Sequence, residues 1–263
     1  MTVRLAATEY GALDGGGPPP LAILHGLFGS ARNWASIAQR LAPKRPVIAF
    51  DLRNHGAAAW ADGMEYGEMA EDVLAMLNER GCRRAALLGH SMGGKVAMMA
   101  ALRDRDMVER LVVVDIAPVA YRPHHLGLVR AMRGLDLAGI RRRSEADAAL
   151  ATAVPDAAER GFLLQNLVFD NEQAHWRLNL EAIERAMPQL TGFPPVPDSA
   201  VYHGPALFVA GGRSDYLLPG HQPVIRRLFP NARLARIPDA GHWVHAEQPQ
   251  AFLDIVEPFL AAA

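Results

Sequence analysis

Two short stretches of the chain carry residues that together could perform nucleophilic catalysis. Gly89-His90-Ser91-Met92-Gly93 has the form G-x-S-x-G, and Gly241-His242-Trp243 lies near the carboxyl end. A serine hydroxyl needs a base that takes its proton, and imidazole is the side chain whose pKa lies nearest neutrality. We therefore expect Ser91 to be a nucleophile and His242 to be its general base.

The sequence on either side of Ser91 predicts how this hydroxyl is presented. Ala85 to Leu88 is an apolar run typical of a buried strand, and Val96 to Leu102 continues as an apolar helix. Strand, sharp turn and helix form the context in which G-x-S-x-G exposes its serine. The start of the helix also supplies free N–H groups and positive dipole character where negative charge develops.

A phosphate-binding loop is the alternative interpretation of the same stretch. Gly89 and Gly94-Lys95 nearly match the P-loop pattern, and the strand ending at Asp115 resembles the acidic strand that helps to hold magnesium. However, Val96 stands where a serine or threonine should bind the metal. Since a P-loop also gives no role to His242, the interpretation of Ser91 as a catalytic nucleophile is favoured.

The imidazole of His242 needs a carboxylate that holds its tautomer and stabilises the imidazolium. Asp215 follows the predicted strand Ala206 to Ala210, and Asp115 ends the strand after the nucleophile helix. A carboxylate at either place can reach the same imidazole. The chain order of serine, acid and histidine, with the histidine last, is typical of the α/β-hydrolases.

Apolar strands that alternate with helices predict an α/β fold, in which a parallel sheet is covered on both faces. Such sheets bind ligands beyond the carboxyl ends of their strands. The polar motifs all fall there, at His25-Gly26, at Asp51 to Gly56, at Ser91 and at Asp115. We therefore expect these motifs to meet at one edge of the sheet.

The alternation stops after Pro118, and from there to about His203 the patterns are helical, including one from Pro155 to Phe169. This block is too long for a connection between neighbouring elements. We predict a core domain made of residues 1–117 and 204–263. A helical cap, residues 118–203, is inserted after the strand that ends at Asp115.

Composition excludes several classes of partner. The 263 residues are half apolar with a net charge of −1, which argues against nucleic-acid or membrane-surface binding. A single cysteine, Cys82, excludes an internal disulfide framework and fits a reducing compartment. The first residues show no apolar signal region, so we expect a cytoplasmic protein, a monomer or a small homo-oligomer. His242 and His245 lack a carboxylate in zinc-ligand spacing, so no metal and no cofactor are expected.

Five motifs carry a resemblance to a known family. They are His25-Gly26-Leu27-Phe28-Gly29-Ser30, Asp51-x-Arg53-Asn54-His55-Gly56, Gly89 to Lys95, Asp115-Ile116-Ala117-Pro118 and Gly241-His242-Trp243-Val244-His245-Ala246. With them the chain resembles the α/β-hydrolase family over nearly its full length. Within that family it is similar to the small bacterial YbfF-type esterases and their mitochondrial relatives.

The resemblance implies an α/β-hydrolase fold, with a mostly parallel central sheet, helices on both faces and a helical cap. It also implies an esterase or thioesterase whose oxyanion hole is formed by the backbone N–H groups of Leu27 and Met92. YbfF-type relatives generally retain the acid that matches Asp115 and lack one that matches Asp215. This chain has both, and we favour Asp115.

The expected function is that of a serine carboxylesterase that hydrolyses small to medium esters, and acyl-thioesters by the same chemistry, through an acyl-enzyme on Ser91. Lactone or C–C bond hydrolysis by the same triad is one alternative, and a hydrolase-like ligand-binding protein is another. Asp51, Arg53 and His55 are expected to brace the loops. Phe169 and Trp176 are expected to pack the cap onto the core, with the wall of an acyl pocket as their alternative role.

Overall fold

The computed structural model describes residues 1–13, 17–123, 125–170 and 173–262. Its strands are β1 (Ala6–Tyr10), β2 (Leu21–Leu24), β3 (Val47–Asp51), β4 (Ala85–His90), β5 (Val108–Val114), β6 (Leu167–Asp170), β7 (Gln173–Trp176), β8 (Ala206–Gly211) and β9 (Ala232–Ile237). Seven of them form one sheet in the order β1-β3-β2-β4-β5-β8-β9. Every pairing in it is parallel except that of the edge strand β1 with β3, so the predicted mostly parallel sheet is confirmed.

Helices connect the strands and cover both faces of the sheet. They are α1 (Ala35–Leu41), α2 (Tyr66–Glu79), α3 (Met92–Arg103), α4 (His125–Arg133), α5 (Arg143–Leu150), α6 (Ala157–Leu164), α7 (Leu180–Thr191), α8 (Gln222–Leu228), α9 (Val244–Glu247) and α10 (Pro249–Ala261). Among the helices of the described residues, none is both long and apolar enough to span a membrane.

Successive residues along each strand alternate between two hydrophobic layers. Leu87 and Val113 pack on the side of α2, α3 and α8, whereas Leu88 and Val112 pack on the side of α1 and α10. This alternation follows from the two-residue period of a strand, and it explains why the central strands are apolar throughout. The sheet is therefore a rigid support buried on both faces.

The register of the sheet aligns the carboxyl ends of the central strands. Leu24 at the end of β2 lies opposite Phe50 of β3 and Gly89 of β4, and His90 lies opposite Val114 of β5. The residues that follow these strand ends therefore share one edge, as the sequence predicts.

Residues 118–203 leave the sheet after β5 and return to it at β8. Helices α4 to α7 make up most of this insert, and β6 and β7 pair antiparallel within it. The expected helix from Pro155 to Phe169 is therefore wrong in its last part, because α6 ends at Leu164 and Phe169 lies in β6. Backbone pairing with β7, in which Leu167 lies opposite Trp176, outweighs the local helical pattern.

The insert lies over the carboxyl edge of the sheet and is bonded to core loops at several points. The side chain of Asn166 donates to the carbonyl of Phe28 at 2.8 Å. The hydroxyl of Tyr66 in α2 donates to the carbonyl of Leu190 in α7 at 2.6 Å. These bonds fix both sides of the insert above the loops that carry the candidate site.

Candidate active site

Ser91 lies in the turn between β4 and α3 with φ at 52°, a left-handed conformation that non-glycine residues rarely adopt. The neighbouring glycines make this turn possible. A Cβ on Gly89 would overlap the carbonyl of Gly93, and a Cβ on Gly93 would overlap the carbonyl of Leu24. The turn therefore has the predicted nucleophile-elbow geometry, in which the strained residue projects its side chain beyond the sheet.

Asp115 follows β5 and is completely buried. Its Oδ1 accepts a hydrogen bond of 2.9 Å from the backbone N–H of Gly211, at the end of the neighbouring strand β8. Its backbone also has a positive φ, of 50°. The Asp115 carboxylate is thus held between the ends of two neighbouring strands, β5 and β8.

His242 lies in the loop after β9, and its Nδ1 lies 2.8 Å from Asp115 Oδ2. The ring of Tyr216 stacks on the imidazole, with centroids 4.1 Å apart and an interplanar angle of 26°. On the other side, His90 Nε2 donates to the backbone carbonyl of His242 at 2.8 Å. The imidazole is therefore fixed by a carboxylate, a stacked ring and a bond to its backbone.

The structure separates the two candidate acids. Asp215 is exposed, and no hydrogen bond between the described residues joins it to His242. Its neighbour Ser214 points inward and donates its hydroxyl to Asp115 Oδ2, the oxygen that faces His242. Ser214 was not singled out by the sequence, which offers no local signal that separates it from any other loop serine.

Leu27 lies between Gly26 and Phe28 in the loop after β2, and two buried histidines brace this loop. His25 Nδ1 donates to the carbonyl of Gly26 at 2.8 Å, and the N–H of Phe28 donates to His55 Nε2 at 3.2 Å. Burial lowers the pKa of His25 to about 4 and that of His55 to about 3. Both rings are therefore neutral near pH 7, and His55 Nε2 must be unprotonated to accept the bond from Phe28.

Met92 is the first residue of α3, so its N–H has no acceptor within the helix. Both Leu27 and Met92 line the space beside Ser91. The two predicted oxyanion donors therefore flank the serine from the β2 loop and from the helix start.

The remaining polar residues of the Asp51 to Gly56 motif support loops. Asp51 accepts from the backbone N–H groups of Ala31 and Ala57 at 2.7 and 2.8 Å. Arg53 is buried and forms a double hydrogen bond with Asp72 at 2.7 and 3.0 Å. With the bond that the Phe28 N–H donates to His55, these contacts match the expected bracing network.

Two clefts meet at Ser91. Cleft A is lined by His242, Trp34, His245, Phe162 and Trp243, and cleft B by Met92, Lys95, Tyr121, Met187 and Tyr216. Leu27, Ser91 and His125 line both. Within the described part of the chain, no group of acidic residues, histidines or cysteines is arranged to hold a metal.

Comparison with known proteins decides between the two interpretations of the elbow. A family profile described as "Alpha/beta hydrolase family" matches residues 21–255. The chain belongs to the α/β-hydrolase family. The P-loop alternative is therefore wrong, and Lys95 is a buried residue of this hydrolase rather than a phosphate ligand of a nucleotide-binding loop.

Curated and solved relatives of this α/β-hydrolase include named esterases and lipases. It is 42% identical over 268 residues to the sn-1-specific diacylglycerol lipase ABHD11 of Mus musculus, covering 98% of this chain and 87% of that protein. It is 34% identical over 242 residues to esterase YbfF of Escherichia coli (strain K12), covering 92% of each. The predicted resemblance to YbfF-type esterases is thus confirmed.

A solved structure described as a marine microorganism esterase is similar to this hydrolase over almost its whole length. The TM-score is 0.93 at 35% identity, covering 98% of this chain and 100% of that one. The predicted α/β-hydrolase fold is therefore confirmed both by the sequence relatives and by the arrangement of the backbone.

Proposed function

We propose that this protein is a serine carboxylesterase that hydrolyses small to medium carboxylic esters, and acyl-thioesters by the same chemistry. The observation that carries the proposal is the 2.8 Å contact between His242 Nδ1 and Asp115 Oδ2, made by an imidazole that lines the same cleft as Ser91. The names of the esterase and lipase relatives support the same reaction class.

The first half of the reaction forms an acyl-enzyme. Ser91 Oγ attacks the ester carbonyl carbon while His242 Nε2 accepts the hydroxyl proton, and the carbonyl oxygen becomes an oxyanion. The N–H groups of Leu27 and Met92 stabilise that oxyanion. The tetrahedral intermediate collapses as the imidazolium gives its proton to the leaving alcohol, so the alcohol departs neutral.

Water completes the cycle. His242 takes a proton from a water molecule, the resulting hydroxide attacks the acyl-enzyme, and the acid is released as Ser91 recovers its proton. Asp115 accepts from Nδ1–H throughout, which leaves Nε2 free to accept from Ser91 and stabilises the imidazolium electrostatically. Ser214 and the Gly211 N–H position the Asp115 carboxylate for this task.

Residues 118–203 act in this proposal as a cap that sets substrate size and limits water access. Phe162 and Met187 of the insert line clefts A and B respectively, whereas the proposed triad comes entirely from the core. We further propose that the protein acts in the cytoplasm, as a monomer or a small homo-oligomer.

The test is covalent labelling of Ser91 with a fluorophosphonate probe, combined with hydrolysis of 4-nitrophenyl butyrate. Ser91→Ala should lose the label and leave only the roughly 10³–10⁴-fold rate over water that an oxyanion hole and binding supply. Ser144→Ala, an equivalent change at an exposed serine of the insert, should keep both the labelling of Ser91 and the hydrolysis of the ester. Wild-type hydrolysis by Ser91→Ala would exclude this mechanism, and a labelled wild type without turnover would indicate a ligand-binding protein.

A further inference from the structure

Cleft B carries charges that ester hydrolysis alone does not explain. Lys95 and Arg122 both line it, and no aspartate or glutamate of the described residues does. Cleft A, in contrast, is lined by Glu159. A small cleft lined by cations and no acid favours a ligand with negative charge.

Lys95 is the cation at the buried end of cleft B, with only 1% of its side chain exposed. Its Nζ donates to the carbonyls of Thr191, at 3.2 Å, and of Gly192. The ring centroid of Tyr121 lies 4.8 Å away. An ammonium group has three donors, so two carbonyl bonds leave one.

No carboxylate of the described residues forms an ion pair with Lys95, although a buried charge without a counter-charge is costly. Burial accordingly lowers the pKa of Lys95 to about 7. A carboxylate bound in cleft B would supply the missing negative charge and an acceptor for the third donor. Lys95 thus differs from a structural lysine that pairs with an acid, because its charge has no carboxylate partner among the described residues.

Arg122 lies on the exposed side of the same cleft. No hydrogen bond or ion pair joins its guanidinium to another described residue. Two acids act electrostatically on Tyr121 of this cleft, but Asp115 is bound to His242, Ser214 and Gly211, and Asp215 is exposed to solvent. Neither acid forms an ion pair with Lys95 or Arg122.

The proposed mechanism indicates which part of an ester occupies cleft B. His242 must protonate the leaving oxygen, so the leaving group lies on the side of His242. His242 lines cleft A and does not line cleft B. The alcohol or thiol part therefore lies in cleft A and the acyl part in cleft B.

We propose that Lys95 and Arg122 form a subsite for a carboxylate at the far end of the acyl group. The preferred substrates are then monoesters or monothioesters of dicarboxylic acids. This inference rests on the proposed esterase function, because it uses His242 to assign the two clefts.

The experiment compares mono(4-nitrophenyl) adipate with its neutral methyl ester, methyl 4-nitrophenyl adipate, so that alcohol and chain are matched. The quantity measured is the ratio of kcat/KM for the two substrates. We expect the wild type to favour the charged substrate at least about tenfold, the effect of one charge-assisted hydrogen bond. Lys95→Met should lower that ratio about tenfold, and Arg122→Gln should lower it by less because Arg122 is exposed.

Lys44→Met is the matched control, since Lys44 is an exposed lysine that pairs with Glu257 far from the clefts, and it should keep the wild-type ratio. Preference of the wild type for the neutral diester would overturn the proposal. So would equal losses on both substrates in Lys95→Met, since that pattern means Lys95 only holds the end of α7. If Lys95→Met fails to fold, the ratio in Arg122→Gln decides. Labelling of Ser91 in the same samples shows separately whether the esterase function holds.

Discussion

His242 and Asp115 are 127 positions apart in the chain, yet His242 Nδ1 and Asp115 Oδ2 lie 2.8 Å apart. The carboxylate belongs to the end of β5 and the imidazole to the loop after β9, so the sheet itself sets their separation. Because Asp115 is buried and also bound by Gly211, the contact is rigid. This pairing makes the acid assignment testable.

Asp115→Asn should lower kcat by about 10⁴, because an amide in place of the carboxylate favours the wrong histidine tautomer. Asp215→Asn is the matched control and should cost about tenfold or less, since Asp215 is exposed. Steady-state kinetics on 4-nitrophenyl butyrate give both values. A large loss in Asp215→Asn with a nearly normal Asp115→Asn would reverse the assignment.

Ser214→Ala removes the hydroxyl that donates to Asp115 Oδ2. The carboxylate then loses one of the bonds that orient it, and we expect kcat to fall about tenfold with little change in KM. Ser214→Thr keeps the hydroxyl and should recover most of the rate. An unchanged kcat in Ser214→Ala would mean that Gly211 and His242 position Asp115 without help.

Gly93→Ala should disrupt the elbow, because its Cβ would overlap the backbone carbonyl of Leu24 and neither chain segment can move freely. We expect the free energy of unfolding to drop by about 3 kcal/mol or more. Gly127→Ala in α4 has open space around the new Cβ and should stabilise the protein by about 1 kcal/mol. Urea unfolding followed by circular dichroism distinguishes them, and similar values for the two variants would argue against the tight turn.

Acid should destabilise the fold through its buried histidines. Burial lowers the pKa of His245 to about 3 and that of His25 to about 4, from an ordinary value of 6.5. Below pH 6.5 the unfolded chain binds protons that the folded chain does not, so stability is full above that pH and falls as the pH drops toward 4. Each histidine contributes up to about 1.4 kcal/mol per pH unit in this window.

His245→Phe tests this pH dependence, because Nδ1 of His245 has no hydrogen-bond partner among the described residues and its ring stacks on Trp34 with centroids 3.8 Å apart. Between pH 7.5 and 5.0, urea unfolding should show a loss about 2 kcal/mol smaller than in the wild type. His203→Gln, at an exposed histidine, should keep the wild-type loss. The same loss in His245→Phe as in the wild type would show that His245 is not the titrating group.

Local patterns were sufficient to predict the sheet, the elbow and the placement of Ser91 and His242 at its carboxyl edge. Central strands buried on both faces must be apolar throughout, and a tight strand-to-helix turn must have glycine where a Cβ would collide. Both requirements act on residues close together in the chain, so the sequence shows them directly. The alternation of strands and helices then determines that His25, Asp51, Ser91 and Asp115 share an edge.

Tertiary structure decided what depends on side-chain direction and on long-range pairing. Asp115 and Asp215 both follow strands of the same edge, and only the packed loops turn Asp115 toward His242 and Asp215 toward solvent. The β6–β7 pairing was missed because its stability comes from backbone bonds between segments rather than from periodicity. Lys95 resembles a P-loop lysine in the sequence, and its burial against the end of α7 makes it part of cleft B.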